Sequence, residues 1–208
     1  MIEKTSFRDQ VRKLITKKMR EGNIQPQQTI SLASLGRELD VSVTPIREAL
    51  TQLQTIGIVE AIPNKGFYIP ELSSEEAKNL YELVANLECM AITQSSYSAK
   101  DIAKLRRYNE KFKKAKTNIE RINADIDFHD LLTSNYNNDI ALKLLDDLKL
   151  RIFFYEFEFM SKDNLYGDSD NQHELLIQQL ENNEMDKACE ILKHNWLNVL
   201  DHLEPVDS

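Results

Sequence analysis

Apolar positions recur at the three- and four-residue spacing of an α-helix along most of the chain, which predicts a mainly helical protein. Residues 6–20 set Phe7, Val11, Leu14 and Lys18 on one face, with Ile15 and Met19 beside them and many Lys and Arg opposite; Gly22 ends this helix. A second helix over 31–39 starts at Ser31, a good N-cap, and turns Leu32, Leu35 and Leu39 inward. After a tight turn over 40–43, Thr44 as N-cap and Pro45 at the first helical position open a third helix. Its buried stripe is Ile46, Ala49, Leu50 and Leu53, and Gly57 ends it. Two short apolar runs follow, 58–62 and 67–69, separated by Pro63-Asn64-Lys65-Gly66, a hairpin loop. Helix, helix, turn, helix, hairpin is the order of a winged helix-turn-helix.

Residues 70–72 mark the expected boundary between two domains, 1–72 and 73–208. Beyond it, Ser73 with Glu76 three residues on reads as a capping box. The rest is predicted as helix over 74–96, 99–116, 119–134, 138–161, 170–182 and 185–203, with a polar loop at 162–169. The expected fold is therefore mainly α: an N-terminal winged helix-turn-helix and a C-terminal all-α helical bundle.

Composition adds an asymmetry. Over the whole chain of 208 residues the net charge is −8, but residues 1–70 hold ten Lys and Arg against seven Asp and Glu, while the remainder holds sixteen against twenty-seven. A basic first module can meet phosphate; the acidic second one cannot. There is no apolar run long enough to span a bilayer and no charged-then-apolar leader at Met1, so the expected location is the cytoplasm. Cys89 and Cys189 each lie in an apolar helical stretch and are expected to be reduced core thiols.

With its apolar stripe buried, the third helix exposes Thr44, Arg47, Glu48, Thr51 and Gln52. A recognition helix reads bases from near its N-terminus. Arg47 sits there, and its guanidinium suits the paired acceptors of guanine or a phosphate. The hydroxyls of Ser42 and Thr44, and the backbone amides around Pro45, suit phosphate oxygens. Lys65 and Gly66 at the hairpin tip can reach the neighbouring groove or backbone. The plainer alternative is an Arg47 paired with Glu48 on a solvated face.

In the second domain Asp125 and His129 are four apart and share the inward face of their helix with Ile122, Ile126 and Leu132. His173 shares a face with Leu176, Ile177 and Leu180, and the last helix turns Ala188, Ile191, Leu192, Asn195, Val199 and His202 inward. Burying ionisable groups unpaired is costly. A carboxylate and imidazoles converging from three helices can bind a divalent ion, Zn or Ni first among them. The alternative is a set of hydrogen-bonded core residues. Arg151 is placed on the inward face with Leu144, Leu148 and Tyr155; a surface or interface arginine is the alternative.

The run from Leu35 to Leu50, with Thr44-Pro45-Ile46-Arg47-Glu48-Ala49-Leu50 at its centre and Leu53, Gly57, Val59 and Gly66 after it, resembles the GntR-type winged-helix signature. Residues 74–203 resemble the all-helical effector domain of the FadR branch of that family. The likeness rests on Asp125, Phe128, His129 and Leu132 as one motif and on His173, Leu176, Leu180, Asn183 and Ala188 as another. The resemblance implies metal ligands at Asp125, His129, His173 and a position seven residues after Ala188. That position is Asn195, and His194 lies one residue early, a rotation of about 100° that puts it on the polar face. Other departures are Val43 where the family usually has a DNA-touching arginine, Ala33 for another, Asp40 for the turn glycine, and Val84 for an effector-holding arginine, a role the resemblance would pass to Arg151 with Tyr155 beside a small effector.

These readings combine into a sequence-specific transcriptional regulator, expected to be a repressor. It would be a homodimer on a palindromic double-stranded operator, with DNA affinity controlled by a divalent metal, a small carboxylate, or both. A constitutive DNA-binding dimer with a vestigial pocket is one alternative. A metallohydrolase with its water on Asp125, His129 and His173 is another, though the chain has no HExxH motif.

Overall fold

The computed structural model describes residues 7–25, 27–63, 65–71, 73–159 and 169–202. The chain forms two compact units that divide after Glu71. In the first, α1 (Phe7–Arg20), α2 (Leu32–Leu39) and α3 (Val43–Thr55) pack beside a small antiparallel sheet. Strands β2 (Glu60–Ile62) and β3 (Gly66–Tyr68) form the wing hairpin, and β1 (Thr29–Ile30) adds to the other edge of β3, giving the order β1-β3-β2. The two-residue β1 is too short to carry a periodicity, so the hydrophobic pattern does not announce it. Gly66 makes it possible: its φ is +122°, and a Cβ there would stand 2.7 Å from the Ile30 carbonyl oxygen.

Two local expectations are corrected. The stripe of α1 is Val11, Ile15 and Met19, while Phe7 and Leu14 are exposed. Helix α3 begins at Val43, with Ser42 as its extended N-cap residue, so Thr44 lies inside the first turn instead of capping it. Pro45 is tolerated at the third helical position because the first four N–H groups have no intrahelical partner.

The turn between α2 and α3 is carried by Asp40, at φ 53° and ψ 48°, whose N–H bonds to the Gly36 carbonyl. An L-residue pays for that left-handed backbone and glycine does not. Asp40→Gly is therefore expected to stabilise the first unit by about 0.5 kcal/mol. Urea denaturation followed by circular dichroism checks this; a loss of stability would mean that the Asp40 side chain holds the turn.

The second unit is all helical: α4 (Ser74–Thr93), α5 (Ala99–Lys114), α6 (Asn118–Thr133), α7 (Asp139–Phe159), α8 (Ser169–Glu181) and α9 (Met185–Leu197), then a 3-10 turn over Asn198–His202. Ser73 caps α4 by accepting from the Glu76 N–H, while the Glu76 carboxylate pairs with Arg151. The full reciprocal capping box belongs to α5, between Ser98 and Asp101. The core joins Leu80, Val84, Phe128, Leu132, Ile152, Leu176 and Leu192. On α7 the inward positions are Ala141, Leu145, Lys149 and Ile152, whereas Leu144 is exposed. Cys89 and Cys189 are free thiols. The side chains of Phe159 and His202 lie outside the described residues.

Candidate functional site

On the first unit, burial of Ile46, Ala49, Leu50 and Leu53 leaves Ser42, Thr44, Arg47, Glu48 and Thr51 exposed along α3, with Pro45 half-buried. Arg47, Lys65 and Gly66 converge on one cleft of about 510 Å³, closed on the other side by Ser31, Leu32 and Ala33. The α3 face, the first turn of α2 and the wing thus bring two cations and two helix starts together. On α1, Lys18 is ion-paired with Glu38. Val43 is 41% exposed on the first turn of α3.

In the second unit, Asp125, His129 and His173 are all buried, and a ligand atom from each lies within 4.8 Å of the others. His173 Nε2 is 3.4 Å from Asp125 Oδ1, and His129 Nε2 is 3.9 Å from Asp125 Oδ2. The other ring nitrogens are held from outside: His129 Nδ1 lies 2.7 Å from Glu88 Oε2, and His173 Nδ1 lies 3.3 Å from Asn109 Oδ1. A carboxylate and an amide oxygen accept only, so both Nδ1 atoms donate. Both Nε2 atoms face Asp125 with no hydrogen-bond partner. Phe128 stacks on the His173 ring at 4.0 Å, and the Trp196 ring lies 4.3 Å from His129.

Electrostatics record the strain of this arrangement. Burial pushes the Asp125 carboxyl up to about 6, Glu88 adds to that, and His129, Arg121 and Lys149 oppose it. Burial and the neighbouring His129 hold His173 well below the ordinary imidazole range. Burial would lower His129 as well, but the Glu88 carboxylate outweighs it and raises it. Burial alone would raise Glu88; the charges of His129 and Lys149, with hydrogen bonds from His129 and Trp196, bring it down to about 2.

Unpartnered Nε2 atoms that face a carboxylate in a buried core fit a divalent cation once His129 has given up its second proton. Asp125, His129 and His173 would hold it. Asn195 is buried, donating to Gln172 Oε1 at 2.8 Å, and His194 is exposed. Arg151 and Tyr155 are engaged elsewhere: Arg151 with Glu76, and Tyr155 with the Ser73 carbonyl at 3.4 Å. Sequence patterning missed Glu88, Lys149, Asn109 and Trp196. Lys149 is 2% exposed between Glu88 and Asp130, at 3.1 and 2.6 Å. Its signal is its spacing of four and eight residues from Leu145 and Ala141, which the rarity of buried lysines masks.

A winged helix-turn-helix followed by an all-helical domain is an architecture that transcriptional regulators use. The model of the bacterial regulatory proteins of the gntR family matches residues 7–69, and the FCD domain model matches residues 79–197. The chain belongs to the GntR family, with an FCD effector domain. It is 34% identical over 136 residues to the Nta operon transcriptional regulator of Aminobacter aminovorans, covering 64% of this chain and 65% of that one. It is 26% identical over 163 residues to the transcriptional regulator McbR of Escherichia coli, covering 74% of each. Over 72 residues it is 31% identical to the E. coli transcriptional repressor GlaR, covering 35% of this chain and 33% of that one. The solved structure of E. coli McbR superposes with a TM-score of 0.84 at 21% identity, over 95% of this chain and 98% of that one. These relatives are regulators, not enzymes, which removes the metallohydrolase alternative. No helix among the described residues is long and apolar enough to cross a membrane.

Proposed function

We propose that the protein is a cytoplasmic repressor that binds a palindromic operator as a homodimer and is controlled by a divalent ion in its helical domain. The observation that carries the control is the pair of buried, unpartnered Nε2 atoms facing Asp125. The ion, Zn or Ni, would be held by Asp125, His129 and His173 with the weaker amide of Asn195 alongside. Once bound, it supplies positive charge and open coordination positions to which a small carboxylate effector can attach. DNA contact falls to Ser42, Thr44, Pro45, Arg47, Thr51, Lys65 and Gly66. One short recognition helix reads only a few base pairs, and a dimer presents two. Exposed Leu83 on α4 and Ile140 and Leu144 on α7, helices that pack together, support a dimer through the helical domain. The repressor sign is supported by the likeness to GlaR. Ion and operator are coupled only if the ion biases the setting of the two reading heads.

The test is zinc affinity, by competition with a chelating dye, together with operator binding with and without zinc. Asn195→His is expected to tighten zinc roughly tenfold or more, because imidazole is the better donor. His194→Ala should leave affinity unchanged, since that side chain is exposed. Zinc lost on His194→Ala but not gained on Asn195→His would overturn the assignment of α9. Operator affinity indifferent to bound zinc would return the chain to a constitutive DNA binder.

A further inference from the structure

Glu88 on α4 is a fully buried carboxylate with three donors around it. His129 Nδ1 lies 2.7 Å from Oε2, Trp196 Nε1 donates to the same oxygen at 2.7 Å, and Lys149 Nζ donates to Oε1 at 3.1 Å. The three come from α6, α9 and α7, so one side chain ties together four helices of the bundle. A buried carboxylate is tolerated when it is paired and hydrogen-bonded on this scale. Structural tethering alone would be served by any of these donors. What sets His129 apart is the other end of its ring: Nε2 points at Asp125, carries no hydrogen bond, and belongs to the candidate ligand cluster.

A neutral imidazole carries its proton on one nitrogen only. Whichever nitrogen is tied to an acceptor keeps it, and the other is left with a lone pair. We propose that Glu88 is the positioning residue for His129: it holds the proton on Nδ1, locks the ring plane, and turns the Nε2 lone pair toward Asp125 and His173. Glu88 touches no ligand position itself. This inference rests on the metal reading of that cluster. Trp196 and Lys149 complete the device by fixing the carboxylate, and Lys149 is in turn held by Asp130 at 2.6 Å. His173 has a weaker counterpart, since the neutral amide oxygen of Asn109 does the same for its Nδ1 at 3.3 Å. The two histidines are therefore unequal, and His129 is the better prepared donor.

The test uses the full-length protein, with zinc as the probe and ¹⁵N chemical shifts of the His129 ring in the metal-free protein as the second readout. In the wild type at alkaline pH, the proton should be found on Nδ1. In Glu88→Gln, whose amide can donate as well as accept, the Nδ1-H form should lose its dominance. Zinc affinity should then fall about 10- to 100-fold, the usual effect of removing such an outer partner. Tyr97→Phe serves as the structural control. It deletes a hydrogen bond from the Tyr97 hydroxyl to the Leu132 carbonyl at 2.7 Å that involves neither Glu88 nor any of the three ligand candidates, and should keep wild-type zinc affinity. If Glu88→Gln does not fold, the wild-type ring decides: a proton on Nε2 overturns the proposal. Wild-type zinc affinity in a folded Glu88→Gln also overturns it. A wild type that takes up no zinc instead removes the metal reading, and the ligand role of His129 with it, whatever the ring shifts show.

Discussion

Asp125→Asn should stabilise the metal-free protein at about pH 8 by about 1–3 kcal/mol and abolish its uptake of zinc. Asp125 is 5% exposed, and burial lifts its carboxyl from 3.8 to about 6. A group whose folded pKa is raised favours folding in its protonated form. Its contribution is full below about pH 4 and drains away as the pH climbs through about 6, because the folded core then has to hold an incompletely paired carboxylate. Asparagine has the same shape and no charge, so it escapes that loss. A divalent ion relieves the same strain in the wild type, and added zinc should raise the wild-type melting temperature but not that of the variant. Thermal unfolding of both proteins near pH 5 and pH 8, each with chelator and with zinc, measures all of this. The stability difference should shrink toward zero at the acid end. A variant less stable than wild type at both pH values would mean that the wild-type carboxylate is already satisfied by His129 and Arg121, and the case for an ion would weaken with it.

That strain could be located in the sequence, but its surroundings could not. Asp125, His129 and His173 stand on helical faces otherwise made of leucine and isoleucine, and ionisable groups there point to a site. Glu88 and Lys149 lie in similarly apolar helices, yet each has an equally acceptable reading as a solvated surface charge. Only the packing of α4 on α7 brings them together. The same ambiguity leaves the facing of two helices partly open. On α7 the stripe through Leu144, Leu148, Arg151 and Tyr155 competes with one through Ala141, Leu145 and Lys149; the second is buried throughout, while of the first Tyr155 is buried and Leu148 packs against the core. Choosing between them requires accepting a lysine in the core, which its pairing with two carboxylates permits. On α1, Phe7 and Leu14 gave way to Val11, Ile15 and Met19 for want of any rule that decides between adjacent apolar faces. By contrast, the helices of the second unit and the order of the first were legible throughout. Long amphipathic segments with Ser or Thr at their starts leave few alternatives, whereas a two-residue strand such as β1 leaves no trace.

Arg47→Ala should weaken specific operator binding by about 1–3 kcal/mol for each half-site while changing stability by no more than about 0.5 kcal/mol. Arg47 is exposed on the first turns of α3, and it lines the same cleft as Lys65 and Gly66 of the wing. Its neighbours Val43 and Ala33 stand where the family commonly has arginines, so this face has fewer cationic readers to share the work. The loss at Arg47 should be correspondingly hard to compensate. Fluorescence anisotropy with operator and scrambled duplexes, over a range of salt, separates the roles. A guanidinium that reads a base loses discrimination, because the operator falls and the scrambled duplex barely moves. A guanidinium that only meets phosphate weakens both alike and lowers the salt slope by about one. Lys65→Ala, at the wing, should show that second pattern, uniform weakening with the smaller slope. If Arg47→Ala matches Lys65→Ala in every respect, Arg47 positions the protein on the backbone and the sequence is read elsewhere on α3, where Thr44, Glu48 and Thr51 are also exposed. If Arg47→Ala discriminates operator from scrambled DNA as well as the wild type at every salt concentration, α3 does not enter the groove by this face.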